Sequence, residues 1–387
     1  MEYKHSKGQY FTTNISLQEC VHKFILNDPV CILEPSIGQG DLVSYIQSKI
    51  SNVEFDMYEI DKKIPIIKSI TKSKIVYGDF LEQPIQKKYK TIIGNPPYVR
   101  TKHGNLYIDF IRKCYGLLEE AGELIFIVPS EFFKRTSSSK LLSEMLSTGT
   151  FTHIYHPNDE HLFENASIDV IVFRYCKRVD PEHKVVVNDE VKYFQNNNGM
   201  ITFSSEEKHT ENIIGDLFDV YVGLVSGKES VFKNKKLGNV DVLNKKGKVD
   251  RYIMVDTFPT NKKELNDFLL SHKKELLERR IRKFNEKNWF EWGALRNESK
   301  MVEGIKDEKE CIYMSTITRQ DEVAFIGQVQ YFGGGLIMMV PKQNIDLTAC
   351  VRYFNSDKFK ENFMYSNRFK IGHRQLVNSS LQLSNIE

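Results

Sequence analysis

Short apolar runs separated by amphipathic stretches fill the first half of the chain, and their spacing predicts alternating strands and helices. Residues 30–33 read as a buried strand ending at Glu34; after a turn, Leu42, Val43, Ile46 and Ile50 fall on one face of a helix. Ahead of that strand, Ser16 with Glu19 is read as the cap of a helix that gathers Leu17, Cys20, Val21, Phe24 and Ile25 on one side. Strands follow at 55–58, ending at Glu59, at 74–77, leading into Gly78-Asp79-Phe80, and at 91–94, leading into Asn95-Pro96-Pro97-Tyr98. A helix over 106–118 and strands at 124–128, 151–155 and 169–175 complete the pattern. The expected fold is α/β, a mostly parallel sheet of about seven strands with helices on both faces.

Four successive strand ends carry polar groups, and that edge of an open sheet is where ligands bind. The first turn, Glu34-Pro35-Ser36-Ile37-Gly38-Gln39-Gly40, has Gly-x-Gly in place of the three-glycine dinucleotide fingerprint, which argues against NAD. Glu59 stands nineteen residues past Gly40, where a carboxylate can accept both hydroxyls of a ribose. Asp79 can accept from an adenine amine while Phe80 packs on the ring. Asn95-Pro96-Pro97-Tyr98 suits a planar substrate bearing a weakly nucleophilic amine. The Asn95 side-chain oxygen and the Pro96 carbonyl are both acceptors, so together they can hold the amine hydrogens out of the line of attack. Pro97 stiffens the bend, and Tyr98 offers a flat face for stacking.

In this order, Gly8-Gln9-Tyr10-Phe11-Thr12, Glu34 to Gly40, Glu59-Ile60-Asp61, Gly78-Asp79-Phe80 and Asn95 to Tyr98 resemble the motifs of the S-adenosylmethionine-dependent, adenine-N6 DNA methyltransferases. The subgroup is the one whose target-recognition domain follows a Rossmann-like catalytic domain. The resemblance implies that the segment of Tyr10 and Thr12 closes over the methionine end of S-adenosyl-L-methionine. The turn bearing Glu34, Ser36, Gly38 and Gly40 would wrap its sulfonium and amino-acid portion. Glu59 with Ile60 would take the ribose, Asp79 with Phe80 the adenine, and Asn95 and Pro96 the target amine, with Asn95 also meeting the cofactor. Pro97 and Tyr98 would meet a base flipped out of double-stranded DNA. His161-Leu162-Phe163-Glu164-Asn165-Ala166-Ser167 is similar to the family segment whose Phe packs on the other side of that base, which assigns Phe163. Thr13 stands where the family usually has Pro, and Ile37 near where it has Ala or Cys; neither change removes a contacting polar group. The same resemblance implies a companion restriction endonuclease, the usual arrangement in the family, although solitary and viral members occur; a monomer is expected because duplex methylation modifies one strand per visit.

Composition fits this picture without adding to it. The chain has 387 residues, 41% apolar and 27% charged, with a formal net charge of +3, too small to speak for nucleic acid. No apolar stretch approaches membrane-spanning length and the start of the chain is polar, so a cytoplasmic enzyme with no membrane contact is expected. The six cysteines are scattered and read as reduced thiols; neither they nor the ten histidines have metal-ligand spacing, so no metal is expected.

The organisation expected is a catalytic domain over 1–178, connecting strands and linker over 179–211, and a mixed α+β target-recognition domain over 212–387. The basic, hydroxyl-rich stretch 134–140 reads equally as a phosphate contact and as a helix start. In the second domain Lys228 and Lys233 are phosphate candidates, and Arg319 and Gln320 are candidates for reading base edges, since Arg and Gln bond bidentately to guanine and adenine. Gly333-Gly334-Gly335 would let backbone approach DNA. Residues 262–287 read as one charged helix with nine Lys or Arg against five Asp or Glu, and Arg279, Arg280, Arg282 and Lys283 as its positive rim. Trp289 and Trp292 read as core anchors. Two other functions share these motifs: a methyltransferase acting on RNA adenine or on a protein glutamine, and a DNA-binding specificity protein with a dead catalytic fold.

Overall fold

The structure, a computed structural model, describes residues 10–101, 104–164, 166–177, 184–207 and 212–381. Gly8 and Gln9 of the first motif, Asn165 of the Phe163 segment, and the two ends of the 179–211 stretch lie outside the described residues. By internal contacts the chain divides into two units, 1–209 with 365–367, and 210–364 with 368–387.

The first unit is built on one sheet. Its strands are β1 (Cys31–Glu34), β2 (Glu54–Glu59), β3 (Ile75–Tyr77), β4 (Tyr89–Gly94), β5 (Leu118–Pro129), β6 (Gly149–Tyr155), β7 (Val170–Lys177), β8 (Lys184–Val187), β9 (Glu190–Asn197) and β10 (Met200–Ser204). Their spatial order is β3-β2-β1-β4-β5-β7-β6-β8-β9-β10. Strands β1 to β5 are parallel, and β7 runs antiparallel between β5 and β6. The seven strands read from the sequence are all present. The short strands expected over 179–211 are present and belong to this sheet: β8 pairs parallel with β6, and β9 and β10 continue from it antiparallel.

Strand alternation explains the two-sided burial. Leu33, Ile92, Leu124 and Phe126 pack into one core with Ile111 and Cys114 of α3 (Leu106–Leu117) and Leu141 and Met145 of α4 (Thr136–Ser147). Their neighbours Ile32, Ile93, Ile125 and Ile127 pack into the other with Leu17 and Val21 of α1 (Ile15–Phe24) and Leu42, Val43 and Ile46 of α2 (Asp41–Lys49). With period-two side chains, every central strand feeds both layers, and each fully buried aliphatic contributes roughly 1.5–3 kcal/mol. The cap of α1 is Asn14, whose side chain accepts from Leu17 N at 3.3 Å, rather than Ser16 with Glu19. β1 and β4 are neighbours whose connections leave in opposite directions, which opens the crevice at their C-terminal ends.

The second unit has a four-stranded antiparallel sheet, β11 (Phe218–Val222), β16 (Leu336–Pro341), β14 (Glu310–Ser315) and β15 (Ala324–Gln328) in spatial order, and a separate hairpin, β12 (Val240–Lys245) with β13 (Lys248–Tyr252). Tyr313 and Met338 enter one apolar cluster with Trp289 and Trp292, while Ile312 and Met339 enter another beneath α7 (Leu347–Phe354). The long charged helix expected over 262–287 is two short ones, α5 (Lys263–Ser271) and α6 (Lys273–Leu277), after which the chain turns irregular. Among the described residues no helix is long and apolar enough to cross a membrane.

Candidate active site

A cavity of about 300 Å³ opens at the ends of β1 to β4 in the first unit. Of the eleven residues expected to bind cofactor, eight line it. Ser36 and Gly38 come from the first turn, Glu59 and Ile60 from the end of β2, Asp79 and Phe80 from the end of β3, and Tyr10 and Asn95 from the opposite side. Thr12, Glu34 and Gly40 do not line it. They hold up the wall instead.

Gly40 begins α2 in the left-handed region, φ 97°, and a Cβ there would fall 2.7 Å from Ile70. Glu34 is 2% exposed, and its Oε1 accepts from Ser36 N at 2.9 Å, fixing the turn. Burial pushes its carboxyl up to about 8. Glu59 clamps the same turn from the far side: Oε2 accepts from Gly38 N at 2.9 Å and Oε1 from Asp61 N at 2.8 Å. Burial raises it as well. The Ile60 backbone bonds to the same carboxylate, which leaves part of its acceptor capacity for a ligand. Asp79 caps the short turn after β3 through Leu81 N at 2.9 Å.

The floor beneath Phe80 contains two residues that the sequence did not single out. Phe110 stacks on Phe80 at 5.4 Å between centroids, and Lys113 lies 4.7 Å from the Phe80 ring centroid. The Lys113 ammonium donates to the Phe80 carbonyl, to Leu81 O at 3.0 Å and to Gln83 O at 2.7 Å, so it fastens the whole loop after Asp79. Both residues sit on α3, where Phe110 looks like any core aromatic and Lys113 like any surface cation. No local signal marks them.

Asn95 stands where the cavity meets a cluster of aromatic rings. Its Nδ2 donates to Tyr10 O at 2.8 Å and Thr12 Oγ1 at 3.1 Å; its Oδ1 accepts from the Tyr98 hydroxyl at 2.5 Å. That hydroxyl also lies 3.0 Å from Ile127 O, and burial holds it well above the usual phenol range. Pro97 lines the cavity; Pro96 is buried behind it. Phe163 is brought to the site, 4% exposed, but it is not parallel to Tyr98. Their rings lie 6.3 Å apart at 75°, and Tyr10 packs on both, stacked on Tyr98 at 5.5 Å and 26° and tilted on Phe163 at 5.8 Å. The open two-sided slot expected from the sequence is therefore a closed three-ring cluster.

In the second unit the expected contacts divide. Arg319 and Gln320 are exposed in the turn after Ile317–Thr318. Lys228 pairs with Glu275 at 2.9 Å, and Lys233 with Asp250 at 2.7 Å. Arg279 is not a rim charge. It is 8% exposed and donates to the carbonyls of Leu276, Ser226, Glu291 and Trp289 at 2.6–2.9 Å, with its guanidinium 3.7 Å from the Phe284 ring centroid. Gly333 serves packing too: its carbonyl oxygen lies 2.2 Å from where a Gly223 Cβ would be. In the first unit, the stretch 134–140 starts α4, with Arg135 paired to Glu131 and Ser138 fully buried.

Residues 38–163 match the model of the Eco57I restriction-modification methylase family. M.HincII, a type II methyltransferase of Haemophilus influenzae, is 30% identical over 212 residues, which cover 49% of this chain and 41% of that protein. Ribosomal RNA small subunit methyltransferase A of Mycoplasma mobile is 36% identical over 104 residues, 26% of this chain and 40% of that protein. The chain thus spans about two-fifths of the length of these curated relatives. Among solved structures, the type IIL restriction-modification enzyme MmeI in complex with DNA superposes with a TM-score of 0.59 over 94% of this chain and 63% of that one, at 9% identity, a likeness of fold. With the strand order and the motif-lined crevice, these matches make residues 38–163 of the first unit similar to the Eco57I restriction-modification methylase domain.

Proposed function

We propose that this chain is an S-adenosylmethionine-dependent DNA methyltransferase that modifies the N6 amine of an adenine flipped out of duplex DNA, as the modifying partner of a restriction endonuclease. The observation that carries the reading is the position of Asn95, whose amide is fixed at the junction of the motif-lined cavity and the aromatic cluster. The cavity fits the cofactor. Carboxylates stand at two successive strand ends, Glu59 and Asp79, and Ile60, Ile64, Phe80 and Phe110 supply apolar walls for a nucleoside.

When bound, S-adenosylmethionine supplies an electrophilic methyl group on a sulfonium. Glu59, through the lone pairs its backbone partners leave open, would hold the ribose hydroxyls, and Asp79 with Phe80 would hold the adenine. The Nδ2 bonds to Tyr10 and Thr12 set which way the Asn95 amide faces, so its Oδ1 points toward the aromatic cluster. Because the Tyr98 hydroxyl has a second acceptor in Ile127 O, it can leave Oδ1 to an incoming amine without being stranded. Oδ1 and the Pro96 carbonyl then accept from the two amine hydrogens, and the nitrogen lone pair is freed for in-line attack. The surplus proton leaves to solvent after transfer.

Methylation-sensitive sequencing of DNA from cells expressing the protein tests this. A single short adenine-containing motif should be modified, and Asn95→Ala should abolish the mark, with transfer falling about 10²–10³-fold or more in vitro. Modified cytosine at the motif would overturn the adenine assignment. The ribosomal RNA methyltransferase relative makes RNA adenine a second reading, and transfer to RNA but not to duplex DNA would establish it.

A further inference from the structure

We propose that Tyr10 is a built-in occupant of the base slot, whose ring an incoming base must displace, so that entry carries a threshold common to all flat rings. The inference rests on the reading of Asn95 and Tyr98 as the grip on a planar base. Tyr10 does two things with two separate parts of itself. Its ring stacks on Tyr98 at 5.5 Å and packs against Phe163 at 5.8 Å, so the aromatic face a base would use is already covered. Its backbone carbonyl takes Asn95 Nδ2 at 2.8 Å, and that contact fixes the amide whatever side chain residue 10 carries. The amide oxygen is taken as well, by the Tyr98 hydroxyl. The resting site is thus satisfied internally on both its stacking face and its acceptor.

An incoming ring must therefore replace an aromatic contact by an aromatic contact, with little net gain from stacking. That displacement penalty is common to every flat ring, so it lowers all their affinities together and leaves their ranking to the exocyclic amine meeting Asn95 Oδ1 and the Pro96 carbonyl. Tyr10 sets a threshold for entry, and its side chain takes no part in the transfer.

The separation of ring and carbonyl gives a clean test. Free adenine, cytosine and unsubstituted purine are titrated into the full chain by saturation-transfer NMR, with S-adenosylhomocysteine saturating the cofactor cavity so that only the aromatic slot reports. Tyr10→Ala should bind adenine about tenfold more tightly than the wild type, with purine gaining by a similar factor, so that both rise while their ratio holds. Tyr10→Phe, which keeps the ring, should behave as the wild type. Tyr10→Val serves where Ala lowers the melting temperature, since it also empties most of the ring volume. If removing the ring weakens adenine binding or leaves it unchanged, Tyr10 is a stacking partner or a bystander and the proposal fails. If it admits cytosine and purine but excludes adenine, the occupant role stands and the adenine assignment falls.

Discussion

Glu34 shows how a residue legible as a motif acid acquires a property that the motif does not contain. Held at 2% exposure behind the first turn, it has a carboxyl raised from 4.5 to about 8 by burial. The folded chain then holds this proton more tightly than the unfolded chain does. Its contribution to stability is greatest below about 4.5, falls as the pH rises toward about 8 and is level above that. At about 1.4 kcal/mol per unit, the change amounts to a few kcal/mol. Glu59, raised in the same direction, adds to the slope. Glu34→Gln should flatten most of this fall, as read from melting temperatures across that pH range; an unchanged slope would show that the carboxyl is already ionised when folded. Lys113 is the opposite case, invisible in the sequence. Lys113→Met removes three carbonyl contacts from the loop after Asp79. It should weaken S-adenosylhomocysteine binding about tenfold by calorimetry, with Lys113→Arg recovering part of the loss.

Except for β5, which begins at Leu118 rather than near Leu124, the strands read in the first unit begin and end within two residues of where periodicity puts them, since central strands write their burial into local sequence. The stretch 262–287 fails for a definable reason. Leu265, Leu269 and Leu276 keep helical spacing, but beyond Leu277 the chain wraps around the Arg279 guanidinium, which holds four carbonyls of three separate segments. Counting charges reads such an arginine as solvated. Arg279→Ala leaves those buried carbonyls unpaired and should destabilise the second unit by on the order of 3 kcal/mol in urea unfolding. Arg279→Lys should recover less than half, because one ammonium cannot span the fork.

At the scale of the molecule, the chain holds two units with separate cores, and the 184–204 strands extend the sheet of the first. If the second unit reads DNA through its exposed turn, Arg319→Ala and Gln320→Ala should each lower discrimination between the cognate site and single-base variants by about 1–3 kcal/mol. Cofactor affinity should not change. Lys228→Ala, whose ammonium is already paired with Glu275, should alter discrimination far less. Methylation rates on cognate and variant duplexes measure all three, and equal effects would remove Arg319 and Gln320 from base reading.

The sequence by itself determined the order of strands and helices along the first unit and the polar residues at four strand ends. It could do so because side-chain period and motif spacing are local properties. Tertiary structure decided which of those polar atoms are already engaged, that the Tyr10 ring packs on Tyr98 and Phe163, that Arg279 turns inward, and that the strands over 184–204 join the sheet of the first unit. Each of those outcomes depends on a contact between residues far apart in the chain, from Tyr10 with Asn95 to Arg279 with Ser226, and no window of sequence contains both partners.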